Sequence, residues 1–68
     1  MNFETFDRMD GLANSQDVRI MIVAMKSITQ QLLQEGFDDH DIMEFMNHYA
    51  EVSIDDAIFE INEWTENN

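Results

Sequence analysis

Residues 34–46 read QEGFDDHDIMEFM, and the fold turns on them. Gly36 stands where a helix arriving from upstream would end, because the C′ position takes a left-handed conformation that glycine adopts without steric cost. Two residues later the next helix begins. Asp38 is placed to cap it, Asp41 falls at the N3 position of a carboxylate capping box, and Phe37 at N′ can staple onto Ile42 at N4. Ile42, Phe45, Met46 and Tyr49 then recur at i, i+3, i+4 and i+7, which is one apolar face of a helix. A stop, a turn and a start within so few residues predict two helices meeting at a corner.

Upstream of the corner, a long helix of about residues 15–35 is predicted, with Asn14 or Ser15 as its N-cap and Asp17 in its first turn. Val18, Met21, Ile22, Met25, Ile28, Leu32 and Leu33 share one wide face of it, while Ile20, Val23 and Ala24 lie on the other side. A helix apolar on both sides needs two covers. Phe3, Phe6 and Met9, with Leu12 beyond, recur every third residue on a short helix of about residues 2–12 and are the expected cover of the second stripe. The other cover is a second copy of the chain, which would make Ile20, Val23 and Ala24 a homodimer interface.

Downstream, the starting device is repeated. Ser53 reads as an N-cap, Asp56 as N3, and Val52 as a staple onto Ala57, followed by the stripe Ile54, Ala57, Ile58, Ile61 and Trp64. The tail from Thr65 to Asn68 is expected to fray. The expectation is one all-α domain over residues 1–68, a small bundle of three to four helices at about 2–12, 15–35, 39–51 and 54–65, the last two docked on the long second helix.

A 68-residue chain has a marginal core, because only about 60% of the unfolded surface is buried at this size. With 44% hydrophobic residues it can still fold, so wholesale disorder is not expected. There is no Cys, hence no disulfide and no thiolate metal site, which fits a reducing compartment such as the cytoplasm. The N-terminus lacks a basic region followed by an apolar run, so no signal peptide is expected. The longest apolar run, Ile20 to Met25, falls short of the ~20 residues of a bilayer span, so no membrane is expected as a partner.

Charge is unevenly placed. From Phe37 onward there are ten carboxylates (Asp38, Asp39, Asp41, Glu44, Glu51, Asp55, Asp56, Glu60, Glu63 and Glu66) and no Lys or Arg. The first 36 residues carry a net −2 of the total −12. Direct nucleic-acid binding is excluded, since it requires clustered cations. A protein partner with a basic surface is implied, or simply solubility. Asp38, Asp41, Asp55 and Asp56 are accounted for by capping and the helix dipole. Glu44, Glu51, Glu60, Glu63 and Glu66 are not, and Glu63 and Glu66 sit at the unfavourable end of the dipole. On the last helix Phe59 points outward among Asp55, Asp56, Glu60, Glu63 and Glu66, the arrangement of an aromatic anchor with a charged rim. Its bland alternatives are a Phe covered by the N-terminal helix, or one ordinary exposed apolar residue. Carboxylates on successive turns lie about 5–6 Å apart, similar to phosphates along a strand, so such a face can stand in for nucleic acid.

Catalysis is not expected. There is no Cys nucleophile and no phosphate loop, and Ser15, Ser27 and Ser53 have no His at a suitable spacing. A carboxylate pair would need a cleft to separate its two pKa values. His40, Glu44 and His48 share one stripe, but the two His are separated by about 12 Å of helix rise and cannot hold one ion between them. That stripe reads as a solvated face. Asp7, Asp10 and Gly11 do not make an EF-hand loop, because Phe6 and Arg8 would take calcium-ligand positions. No metal or cofactor is called for.

Residues 30–64, QQLLQEGFDDHDIMEFMNHYAEVSIDDAIFEINEW, resemble the ubiquitin-associated (UBA) and CUE families of three-helix domains. Gly36-Phe37 falls at their first loop, Ile42, Phe45 and Met46 at second-helix core positions, and Ile54, Ala57 and Ile61 at third-helix core positions after one extra loop residue. The resemblance implies a compact three-helix core and, with Gly36 and Phe37 as contacts, a ubiquitin-type partner. Glu35 replaces the Met that precedes Gly-Phe in those families, and Asn62 replaces one of their paired leucines. In size, acidity and lack of catalytic groups the chain is also similar to small acidic bacteriophage proteins that disable host enzymes. The resulting expectation is a non-enzymatic, inhibitory or regulatory interaction module that binds a basic site on a larger macromolecular enzyme, with nucleic-acid mimicry left open as the mode of binding. Phe59, Asp56, Glu60, Glu63, Glu44 and Glu51 would be its contacts, in the host cytoplasm if phage-encoded. The alternatives are the ubiquitin-type module and a structural homodimer.

Overall fold

A computed structural model describes residues 1–67 and consists of three α-helices: α1 (Phe3–Leu12), α2 (Ser15–Gln34) and α3 (Asp39–Asn67). Among the described residues there is no strand, and no helix is long and apolar enough to cross a membrane. The chain divides into two compact units, Met1–Gln31 and Leu32–Asn68.

In the first unit both helix starts are capped by asparagine. Asn2 Oδ1 accepts from the Thr5 N–H at 2.9 Å, and Asn14 Oδ1 accepts from the Asp17 N–H at 3.0 Å. Asn14 rather than Ser15 is therefore the cap of α2, and Ser15 is its first helical residue. The extended backbone of Ala13 ends α1, its N–H closing onto the Met9 carbonyl at 2.8 Å. The expectation that α1 covers the second stripe of α2 is not met. Phe3, Phe6, Met9 and Leu12 are exposed, and so are Ile20 (57%), Val23 (66%) and Ala24. The reason is geometric. A three-residue repeat falls behind the helical period by about 60° per step, so the four residues spiral round half of α1 instead of forming one face.

The second unit contains the corner. Gly36 has φ 97°, its N–H donates to the Leu33 carbonyl at 3.1 Å, and the Phe37 N–H donates to the Leu32 carbonyl at 3.1 Å. These two bonds are a Schellman motif, which satisfies carbonyls that the end of α2 would otherwise leave open. Asp38 then caps α3, its Oδ1 accepting from the Asp41 N–H at 2.9 Å, and its carbonyl receives the Ile42 N–H at 3.1 Å. Phe37, Leu32, Asp41, Ile42 and Phe45 line a shallow hollow of about 300 Å³. Ile42 is only 3% exposed and is the one buried apolar side chain among the described residues.

α3 does not break at Ser53. It runs unbroken from Asp39 to Asn67, so the two predicted helices at 39–51 and 54–65 are one. A break would strand up to four carbonyls and four amides, each needing a new partner. Between Asp39 and Asn67 there is no Gly or Pro to form the turn. The Ser and β-branched residues at 52–54 cost only about 0.5 kcal/mol each relative to Ala, less than the helix bonds a break would open. Thr65 also stays helical, its hydroxyl donating to the Ile61 carbonyl at 2.9 Å, so the expected fraying does not begin there. Asn68 lies outside the described residues.

Continuity has a consequence for the faces of α3. At 100° per residue, the stripe Ile42, Phe45, Met46 and Tyr49 and the stripe Ile54, Ala57 and Ile61 are turned from each other by about 100° around the axis. Ile42 and Phe45 of the first line the corner hollow, and the Phe45 and Tyr49 rings meet edge to face with centroids 5.1 Å apart. In the second, Ile54, Ile58 and Ile61 are all exposed.

Candidate functional site

The candidate site is the outward face of the C-terminal half of α3. The helix sets Glu51, Asp55, Phe59 and Glu63 four residues apart on one ridge, with Asp56 and Glu60 on the next. Asp55, Asp56, Glu63 and Glu66 lie within about 60° of Phe59 around the axis, and Glu60 within about 100°. Phe59 itself is 67% exposed. It is therefore an open aromatic ring in a carboxylate frame, not a core residue.

Within its own unit the face has no Lys or Arg beside it. The three cations Arg8, Arg19 and Lys26 all belong to the first unit, whereas eleven carboxylates belong to the second. Among the described residues the only side-chain contact between a basic group and a carboxylate is His40 Nε2 to Glu44 Oε1 at 3.2 Å. The continuous helix also removes one assignment made from the sequence. Asp55 and Asp56 lie in mid-helix, not in a first turn, so capping and dipole no longer account for them. They join Glu51, Glu60, Glu63 and Glu66 as charges without a structural role.

The site residues inferred from the sequence do not all meet. Phe59, Asp56, Glu60, Glu63 and Glu51 share the one face. Glu44 lies about 24 Å from Glu60 along the axis and is engaged by His40. Gly36 and Phe37 lie at the corner, beyond the start of α3. Ile20, Val23 and Ala24 lie on α2 in the first unit. The His40–Glu44–His48 stripe brings no ion site together: His48 stands edge-on to the Tyr49 ring at 5.4 Å, and among the described residues no three metal-ligating side chains converge.

Sequence reasoning missed the role of Leu32. It supplies the carbonyl that receives Phe37 and one wall of the hollow. Its position at C3, five residues before Phe37, was the signal, since the Schellman motif pairs C3 with C″. The chain matches no protein-family model, and neither a curated protein nor a solved structure shows significant similarity to it.

Proposed function

We infer that the chain is a non-enzymatic interaction module whose acidic α3 face, with Phe59 at its centre, binds a basic, nucleic-acid-binding site on a larger macromolecular enzyme and blocks it. The observation that carries this reading is the unbroken α3. It holds Glu51, Asp55, Asp56, Glu60 and Glu63 on adjacent ridges of a unit that contains no Lys or Arg. Single exposed ion pairs contribute only about 0.2–1 kcal/mol. A rigid row of them adds electrostatic steering, and the burial of an exposed Phe adds about 1.5–3 kcal/mol. Open carboxylates on a convex helix suit recognition better than acid–base chemistry, which needs a cleft.

The test is capture on the immobilised chain from a lysate of the organism that encodes it, at low salt, with the combined Phe59→Ala and Glu60→Lys variant alongside. The reading expects one protein that the wild type retains, that duplex DNA displaces, and that is released as salt rises. Equal retention by the variant would sink it. A ubiquitin-type module is a second reading, supported by the corner alone, where Phe37 stands half-exposed after the left-handed Gly36. The loop between residues 51 and 54 that this resemblance calls for is helical here. Titration with ubiquitin, followed by NMR, separates the two readings: Phe37→Ala would weaken ubiquitin binding and leave the acidic-face partner unaffected.

A further inference from the structure

On the side of α3 opposite Phe59, Met43, Asn47, Ala50, Ile54, Ala57 and Ile61 follow one another at alternating intervals of four and three residues. Trp64 continues the series. This is the a/d spacing of a coiled-coil seam, with Asn47, Ile54 and Ile61 at a, and Met43, Ala50 and Ala57 at d. The seam exists only because α3 is continuous, and its large apolar members are open: Met43 is 63% exposed, Ile54 58% and Ile61 63%.

We propose that this seam is occupied by a second copy of the chain, with the two α3 helices antiparallel and a two-fold axis beside Asp55 and Asp56. The choice of occupant, direction and register comes from the side chains. In that register Ile54 of one copy meets Ala57 of the other, Ile61 meets Ala50 and Asn47 meets Trp64, so the two isoleucines fill the space left by the two alanines. The edges obey the same logic. Glu51 falls beside Ile58 of the second copy, Glu44 beside Thr65, and Glu60 beside Ser53, so no two carboxylates face each other across the seam. Sliding the helices by one heptad in either direction sets Glu51 against Glu51 or Glu60 against Glu60. A parallel pair sets Ala57 against Ala57 and Asp39 against Glu44. Like charges opposed in this way are unfavourable. Phe59, Asp55, Asp56 and Glu63 point away from the seam, so the dimer leaves the centre of both acidic faces open, with Glu51 and Glu60 at the seam edges.

The absence of Cys makes a direct test available. Sedimentation equilibrium of the full chain in moderate salt is expected to give twice the 8.0 kDa chain mass. Ile61→Asp should raise the dissociation constant by about tenfold or more, while Phe59→Ala should leave it unchanged. Ala50→Cys and Ile61→Cys, prepared separately and mixed under oxidising conditions, should give a cross-linked dimer in the mixture and none in either variant alone. A monomer at all concentrations overturns the proposal, and so does a cross-link in Ala50→Cys alone, which reports a parallel pair. A dimer abolished by Ile20→Glu but not by Ile61→Asp also overturns it and assigns self-association to α2.

Discussion

The two halves of α3 are one helix with two different relations to the rest of their unit. The N-terminal half starts on a capped turn, closes over the hollow with Phe37 and Leu32, and holds the buried Ile42. The C-terminal half has a comparable number of apolar residues but buries none of them. Composition does not distinguish the halves. Phase does: the stripe turns by about 100° between them, so whatever lies against the first half cannot also lie against the second. One half of the helix stabilises the unit, and the other presents two unlike faces outward, one acidic and one apolar.

The same substitution made in both halves should have very different effects. Ile42→Ala removes the buried side chain and should cost about 2–5 kcal/mol. A chain of this length has a total stability of roughly 3–10 kcal/mol, so the variant should be largely unfolded at moderate temperature. Ile58→Ala removes an exposed side chain and replaces a β-branched residue with the best helix former, so its cost should stay below about 1 kcal/mol. Urea unfolding followed by far-ultraviolet circular dichroism measures both. Equal costs would mean that the two halves are equally packed in solution.

The two glycines differ in the same way between the corner and a helix interior. A Cβ added at either position meets nothing within 4 Å, so packing is silent and only the backbone decides. Gly36 holds a φ of 97°, and Gly36→Ala should destabilise by about 1–2 kcal/mol through left-handed strain. Gly11 lies inside α1 with no positive φ, and Gly11→Ala should stabilise that helix by about 1 kcal/mol. Opposite signs for one substitution would establish that the corner, not glycine content, fixes where α2 ends.

The corner was legible in the sequence because its signals are local and mutually dependent. Gly36 needs Leu32 and Leu33 within one turn, Asp38 needs Asp41, and every one of these bonds is made within five residues. The boundaries of α1 and α2 could be read for the same reason. The false start at Ser53 shows the limit of such reading. Ser53, Asp56 and the staple pair Val52 and Ala57 satisfy the pattern of a helix start, but a start within a chain also requires a preceding stop, and no glycine precedes it. The shift in apolar phase near residue 52 looks like a boundary when each stripe is read alone. Along a continuous helix it is only a change of face. The acidic face around Phe59 was legible from the helical wheel, whereas the seam through Met43 and Ile61 was not, because it spans the supposed break.

Ser53 and Asp38 supply the finest test, one of sign more than size. Both have the sequence pattern of an N-cap, yet only Asp38 accepts a bond from the amide three residues on. Asp38→Ala should therefore cost about 1 kcal/mol, the usual loss on removing a cap. Ser53 lies in the interior of α3, where its side chain competes with the helix backbone and serine is a poorer helix former than alanine. Ser53→Ala should then be neutral or stabilise by up to about 0.5 kcal/mol, with helicity preserved or slightly raised. If a fourth helix began at residue 53, the same change would cost as much as Asp38→Ala, because it would leave an amide at the helix start unpaired. Urea midpoints of the two variants decide between these outcomes, and a loss at Ser53 matching that at Asp38 would restore the break and remove the continuous seam along with it.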